Sequence, residues 1–250
     1  MNKYEEITNQ CVEWIREWFE KNGKGCNAVI GLSGGKDSTV VAALCVKALG
    51  KDRVIGVAMP DNNQGLNDAD KIAEYLGITF MVAPIGEICD AFSKVRIPGL
   101  LEWSLQTVQN IPPRVRMTTL YAIAQTYNGR VVGTCNASEN FVGYFTRYGD
   151  GASDLEPLGS FTVTDVKGIG YVLGVPKQWV DKTPDDGLPN SMPDDEKFKA
   201  WGFSYAAIDK LIKEGSSGNK GVDEAIMQKH NKTKFKMNMG TIFYPQNPHF

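Results

Sequence analysis

The chain has 250 residues, of which 42% are hydrophobic and 22% charged, with a formal net charge of −2. That is material for one large core, read as a single domain over residues 1–250, and the charge balance offers neither a nucleic-acid footprint nor a polybasic membrane surface. No apolar run approaches the roughly 18 residues of a membrane span, and the odd set Cys11, Cys26, Cys45, Cys89 and Cys135, with no Cys-x-x-Cys pair, reads as free thiols in a reducing cytoplasm.

Residues 3–22 place Ile7, Cys11, Trp14, Ile15 and Phe19 at helical spacing, which predicts an amphipathic helix packed outside a sheet. Residues 27–30 (Asn-Ala-Val-Ile) read as a buried strand and residues 39–44 as the helix after it. Between them lies Gly31-Leu32-Ser33-Gly34-Gly35-Lys36-Asp37-Ser38. Adjacent glycines permit close backbone approach, and the free N–H groups of a helix start, with the Ser33 and Ser38 hydroxyls, suit an anion. Asp37 would repel phosphate unless a divalent cation lay between them, so it is a candidate Mg²⁺ ligand. The spacing departs from the Walker loop.

A second strand is predicted over residues 53–59, followed by the turn cluster Pro60-Asp61-Asn62-Asn63-Gln64-Gly65. Asn67 is read as the cap of a helix over 68–76 closed by Gly77, with a third strand at 78–83. Pro112 and Pro113 are read as the first turn of a helix over 114–127, and residues 130–134 as a fourth strand. The alternation predicts an α/β fold, a doubly wound parallel sheet flanked by helices. In such sheets ligands bind where strands end, so the phosphate loop, Thr134 and Glu139 would share one crevice. Glu139 is a candidate second carboxylate for Mg²⁺. Residues 181–197, rich in Pro and acidic side chains, read as an exposed mobile loop that could act as a lid, followed by short helices at 205–213 and 223–229.

The octet's Ser-Gly-Gly-Lys-Asp-Ser resembles the pyrophosphate-binding loop of the ATP pyrophosphatase superfamily. Gly133-Thr134-Cys135-Asn136-Ala137-Ser138-Glu139, then Gly143-Tyr144-Phe145-Thr146-Arg147-Tyr148-Gly149-Asp150-Gly151 with Asp154 and Pro157, resembles the signature of the ammonia-dependent NAD⁺ synthetases. Asn110 to Met117, the Thr183-Pro184-Asp185-Asp186-Gly187-Leu188 stretch and Gly202-Phe203-Ser204-Tyr205 are similar to the same family. Rival superfamily members, making GMP or modifying tRNA, lack the Gly-Tyr-Phe-Thr-Arg-Tyr-Gly-Asp segment.

The resemblance implies a Rossmann-like fold of the ATP pyrophosphatase type and a ligase acting in two steps. ATP adenylates the carboxylate of deamido-NAD⁺, and ammonia displaces AMP to give NAD⁺. It implies that Ser33, Gly34, Gly35, Lys36, Asp37, Ser38 and Thr134 hold ATP, with Lys36, Asp37 and Glu139 at the reacting phosphates and Asp37 and Glu139 on Mg²⁺. Arg114, Arg147, Asp154, Phe235 and Lys236 would contact deamido-NAD⁺. It further implies a homodimer, with the 117–127 helix a candidate interface, and leaves glutamine use to a separate subunit. Four positions depart from the family: Val163 stands where an ATP-contacting lysine is common, Arg147 where lysine is, Asp185 where threonine or serine is, and Met59 where several members have arginine.

Overall fold

The computed structural model describes residues 2–62, 64–99, 102–182 and 194–238. Its first half alternates helix and strand: α1 (Lys3–Asn22), β1 (Asn27–Gly31), α2 (Lys36–Leu49), β2 (Val54–Ala58), α3 (Ala69–Leu76), β3 (Thr79–Val82), α4 (Gly86–Ser93), α5 (Leu105–Thr126) and β4 (Gly129–Val132). Helices follow as α6 (Ala137–Val142), α7 (Val163–Val172), α8 (Lys177–Val180), α9 (Asp194–Ala200), α10 (Tyr205–Glu214) and α11 (Lys220–Thr233). The four strands pair in parallel in the order β3-β2-β1-β4, with Ile30 opposite both Gly56 and Val132. The chain therefore winds outward through β2 and β3 and returns on the other side of β1. The switch point lies between the ends of β1 and β4, where an open α/β sheet leaves a crevice.

Strand periodicity decides which helices cover which face. Ala28 and Ile30 point into a core with Ile15 and Phe19 of α1, Val40 and Leu44 of α2, and Val166 and Ile169 of α7. Val29, Ile55, Val57 and Val131 point the other way, against Ile85, Cys89, Ile111 and Ala124 around α4 and α5. Helices thus cover both faces, as the doubly wound reading expects. A third cluster, Val142, Phe198, Tyr205, Ile208 and Ile226, joins α6, α9, α10 and α11 beside the sheet. Beyond β4 a parallel bridge joins Val132 to Leu155. No helix among the described residues is long and apolar enough to cross a membrane.

Three expectations are corrected. The helix read from residue 114 starts at Leu105, capped by the Ser104 hydroxyl, and runs through Pro112 and Pro113. The prolines remove two donors from its ladder, yet burial of Ile111 and Pro112 holds the helix continuous. Asn67 is not the cap of α3: Asp68 occupies that position, both residues have positive φ (48° and 73°), and no side chain caps the helix. Within the expected 181–197 loop, residues from Asp194 on are helical and Asp194 is buried. Residues 183–193, with Asp185 and most of the expected lid, lie outside the described residues.

Candidate active site

The phosphate loop leaves β1 still tied to the sheet, the Leu32 N–H donating to the Val57 carbonyl at 2.8 Å. Gly34 has φ 79°, and a Cβ there would lie 1.6 Å from the Asn67 carbonyl oxygen, so both conformation and space require glycine. Gly35 opens α2 without any side-chain cap, which leaves the first N–H groups of α2 facing the switch-point crevice. The two serines fix the loop's shape. Ser33 and Ser38 hydroxyls lie 3.1 Å apart, Gly35 N–H donates to Ser33 Oγ at 3.2 Å, and Ser38 Oγ donates to the Gly35 carbonyl at 3.1 Å.

Lys36 turns inward, its side chain only 2% exposed, and its ammonium donates to Asp37 Oδ2 at 2.6 Å. The other oxygen of Asp37 accepts from Asn136 Nδ2 at 3.2 Å. Asn136 starts α6 in a reciprocal cap: its Oδ1 accepts the Glu139 N–H and its own N–H donates to Glu139 Oε2, each at 3.1 Å. One buried asparagine thus links the carboxylate at the start of α2 to the carboxylate at the start of α6 across the switch point. Burial, and next the charge of Asp37, hold Glu139 well above the ordinary carboxylate range. Two carboxylates joined through Asn136 at the mouth of a phosphate loop are a fit donor pair for Mg²⁺, which takes one or two carboxylates together with substrate phosphates. Thr134 stands in the short connection from β4 to α6.

The expected dinucleotide residues divide. Asp154 and Lys236 line one cavity of about 270 Å³, together with Phe145, Asn140 and Glu156. Asp154 Oδ2 accepts the Val131 N–H at 2.7 Å, so the bridge to β4 fixes its position. The Lys236 ammonium donates to the Gly143 carbonyl at 2.6 Å and to that of Phe145, and lies over the Phe145 ring. Arg147 sits over the Tyr148 and Phe235 rings, 4.8 and 5.5 Å from their centroids, and donates to the Asn238 carbonyl. Arg114 stands exposed on α5, away from the lining of that cavity.

A family model described as NAD synthase matches residues 7–243. The chain belongs to the NAD synthase family. An NH(3)-dependent NAD(+) synthetase of Methanocaldococcus jannaschii is 41% identical over 213 residues, covering 84% of this chain and 80% of that protein. Among solved structures, an NMN synthetase from Francisella tularensis aligns over 100% of both chains with a TM-score of 0.84 and 31% identity. An NH3-dependent NAD synthetase from Campylobacter jejuni aligns over 97% of this chain and 100% of its own, with a TM-score of 0.76 and 28% identity.

Several residues of this NAD synthase site escaped the sequence reading. Asn136 lay inside a motif, yet its bridging role appears only once β1 and β4 are neighbours. Glu156 joins the cavity wall; burial raises its pKa against the opposing hydrogen bonds from Asn140 and Ser153. Lys182 reaches the phosphate loop from the end of α8, donating to the Gly34 carbonyl at 3.0 Å. Its sequence separation of 148 residues left no local signal. Val163, at the departure from the family lysine, is buried in the first turn of α7, and its N–H donates to Ser138 Oγ at 3.1 Å. It faces the core there and has no charge to offer phosphate.

Proposed function

We propose that this chain catalyses the ATP-dependent amidation of deamido-NAD⁺ by ammonia, giving NAD⁺, AMP and pyrophosphate. The observation that carries the reading is the juxtaposition of the phosphate loop with the paired Asp37 and Glu139 at the switch point. The dinucleotide's carboxylate oxygen attacks the α-phosphorus of ATP, the bond to the β-phosphate oxygen breaks, and pyrophosphate carries that electron pair away. The α2 N–H groups and the Ser33 and Ser38 hydroxyls receive the charge that develops on the phosphates. Ammonia then adds to the acyl carbon, AMP leaves, and the nitrogen releases a proton to give the amide. Asp37 and Glu139 would hold Mg²⁺, which when bound screens the polyphosphate.

The cavity lined by Asp154, Glu156 and Lys236 supports the acceptor assignment. Asp154 and Glu156 favour a cationic pyridinium ring, while Lys236 favours the carboxylate attached to it. A homodimer is part of the reading: α4 and α5 expose Ile88, Phe92, Leu105 and Val108 on the layer away from α1. A second acceptor, the nicotinate mononucleotide, is favoured by the full-length likeness to the Francisella NMN synthetase.

The test is a chromatographic assay of the purified protein with ATP, Mg²⁺ and ammonium, following product and AMP together. Deamido-NAD⁺ and nicotinate mononucleotide go into separate tubes, and glutamine replaces ammonium in a third. Equal amounts of NAD⁺ and AMP with ammonium are expected, with none from glutamine. Turnover of the mononucleotide alone would move the assignment to the second reading, and no AMP in any tube would overturn both.

A further inference from the structure

Two ammonium groups touch the described residues of the phosphate loop, and they are placed differently. Lys36 lies beneath the loop, 2% exposed and bound to Asp37, so its charge is already matched. Lys182 lies at the open rim, its side chain 35% exposed. Its three protons go to the Gly34 carbonyl at 3.0 Å, the Asn67 carbonyl at 3.1 Å and Asp68 Oδ2 at 3.1 Å. These acceptors belong to two segments, the loop and the start of α3, which already meet at Gly34. Asp68 holds a second cation, Lys71, through Oδ1 at 2.9 Å. Departure of Lys182 would therefore strand no carboxylate.

A polyphosphate seated on the α2 N–H groups would bring several negative charges beside this rim. Backbone carbonyls are weaker acceptors for an ammonium than phosphate oxygens, because the phosphate carries full negative charge and attracts the cation by Coulomb's law where a carbonyl offers only a dipole. We propose that Lys182 is a phosphate-contacting residue: its ammonium clamps the loop to the start of α3 in the free protein and turns onto the β- and γ-phosphates when ATP binds. The proposal rests on the reading of the crevice as an ATP site. It adds a residue that neither the loop's sequence nor its spacing contains.

Asp68 then competes with ATP for the same ammonium. That competition separates a phosphate contact from a clamp that merely shapes the loop, because the two predict opposite signs for Asp68→Asn. Asparagine tolerates the positive φ at this position, so the exchange removes charge with little strain.

The experiment is calorimetric titration of the full chain and its Lys182→Met, Lys182→Arg and Asp68→Asn variants with ATP and with AMP, both with Mg²⁺. Lys182→Met is expected to lose at least tenfold in ATP affinity and to keep AMP affinity, with Lys182→Arg recovering part of the loss. Asp68→Asn is expected to bind ATP as tightly as the parent or more tightly. ATP affinity in Lys182→Met within twofold of the parent would overturn the proposal. So would a loss of ATP affinity in Asp68→Asn, an outcome that decides the matter alone if Lys182→Met fails to fold. Binding is read without any nicotinate substrate, so a parent chain that binds ATP but makes no NAD⁺ sinks the proposed function and leaves this test intact.

Discussion

At the residue scale the phosphate loop depends on one missing atom. Any side chain at Gly34 would meet the Asn67 carbonyl within bonding distance while also occupying a left-handed conformation. Gly34→Ala is therefore expected to cost roughly 2–4 kcal/mol of unfolding free energy in urea and to weaken ATP binding, since loop and α3 start must separate. An alanine variant with unchanged stability and ATP affinity would show that the loop opens without cost. Tyr205 presents the reverse case. Its ring is buried against Phe198, and its hydroxyl has no hydrogen-bond partner among the described residues. Burial, and then the nearby Glu139 carboxylate, keep the phenol protonated. Removing an unsatisfied buried hydroxyl relieves a desolvation cost, so Tyr205→Phe should leave stability unchanged or raise it by about 1 kcal/mol. A loss of that size in urea titration would mean the hydroxyl has a partner in solution.

At the element scale, α10 is the strut that holds the site's second half in place. Asp209, buried, accepts Ser138 Oγ at 2.5 Å and the Thr164 N–H and hydroxyl at 2.9 and 2.6 Å, tying α10 to the starts of α6 and α7. One turn further, Lys213 donates to Asp165 at 2.8 Å, in the first turn of α7. Burial opposes ionisation of Asp165, but Lys213 and the Thr162 hydroxyl and N–H outweigh it and hold the carboxyl below its ordinary 3.8. A depressed folded-state pKa gives stability that is fully present above the ordinary value and is lost as pH falls through the folded one. The parent's urea midpoint should thus decline below about pH 4, whereas Lys213→Met, less stable near neutral pH, should show a shallower acid decline because its Asp165 no longer has so depressed a folded-state pKa. Identical acid profiles for the two proteins would remove Lys213 from that balance.

The same element scale shows what the sequence could and could not say. The β1–loop–α2 unit was legible because everything that shapes it, the apolar run, two glycines and two serines, lies within twelve residues. The capping boxes of Asn136 with Glu139 and of Thr162 with Asp165 are equally local in sequence. The start of α3 was misread because Asn67 and Asp68 look like caps, whereas tertiary contacts with Gly34 and Lys182 place both in left-handed backbone. Prolines 112 and 113 argued locally for a helix start, and only burial in the α4–α5 layer shows why the helix continues through them. Of the residues expected to contact the dinucleotide, Asp154 and Lys236 converge on one cavity and Arg114 stands apart.

At the scale of the whole molecule, the α4–α5 layer carries apolar side chains that stand exposed among the described residues. Leu105 is 73% exposed and Phe92 48%, with Ile88, Val95, Ile97 and Val108 exposed near them along α4, its C-terminal continuation and the first turns of α5. Exposed large apolar side chains concentrated on one pair of helices are a mark of a protein–protein interface, and a stable dimer needs roughly 800 Å² from each copy. The same α5 reaches the site: Asn110 Oδ1 accepts the Thr146 hydroxyl at 2.7 Å, and Pro113 packs beside Gly149. Arg114 follows on that helix, exposed and away from the cavity of its own chain. A second copy seated on α5 would cover this segment and place the arginine between subunits. Sedimentation velocity should therefore give a species of twice the 27.5 kDa chain mass. Phe92→Glu with Val108→Glu should return it to the monomer, because two charges cannot be buried unpaired against their own symmetry mates. If Arg114 works across the interface, the monomeric variant keeps its ATP affinity, since the phosphate loop belongs to one chain, and loses affinity for deamido-NAD⁺. A parent chain sedimenting as a monomer at all concentrations would remove the interface, and an unchanged dinucleotide affinity in the monomer would confine Arg114 to the surface of its own subunit.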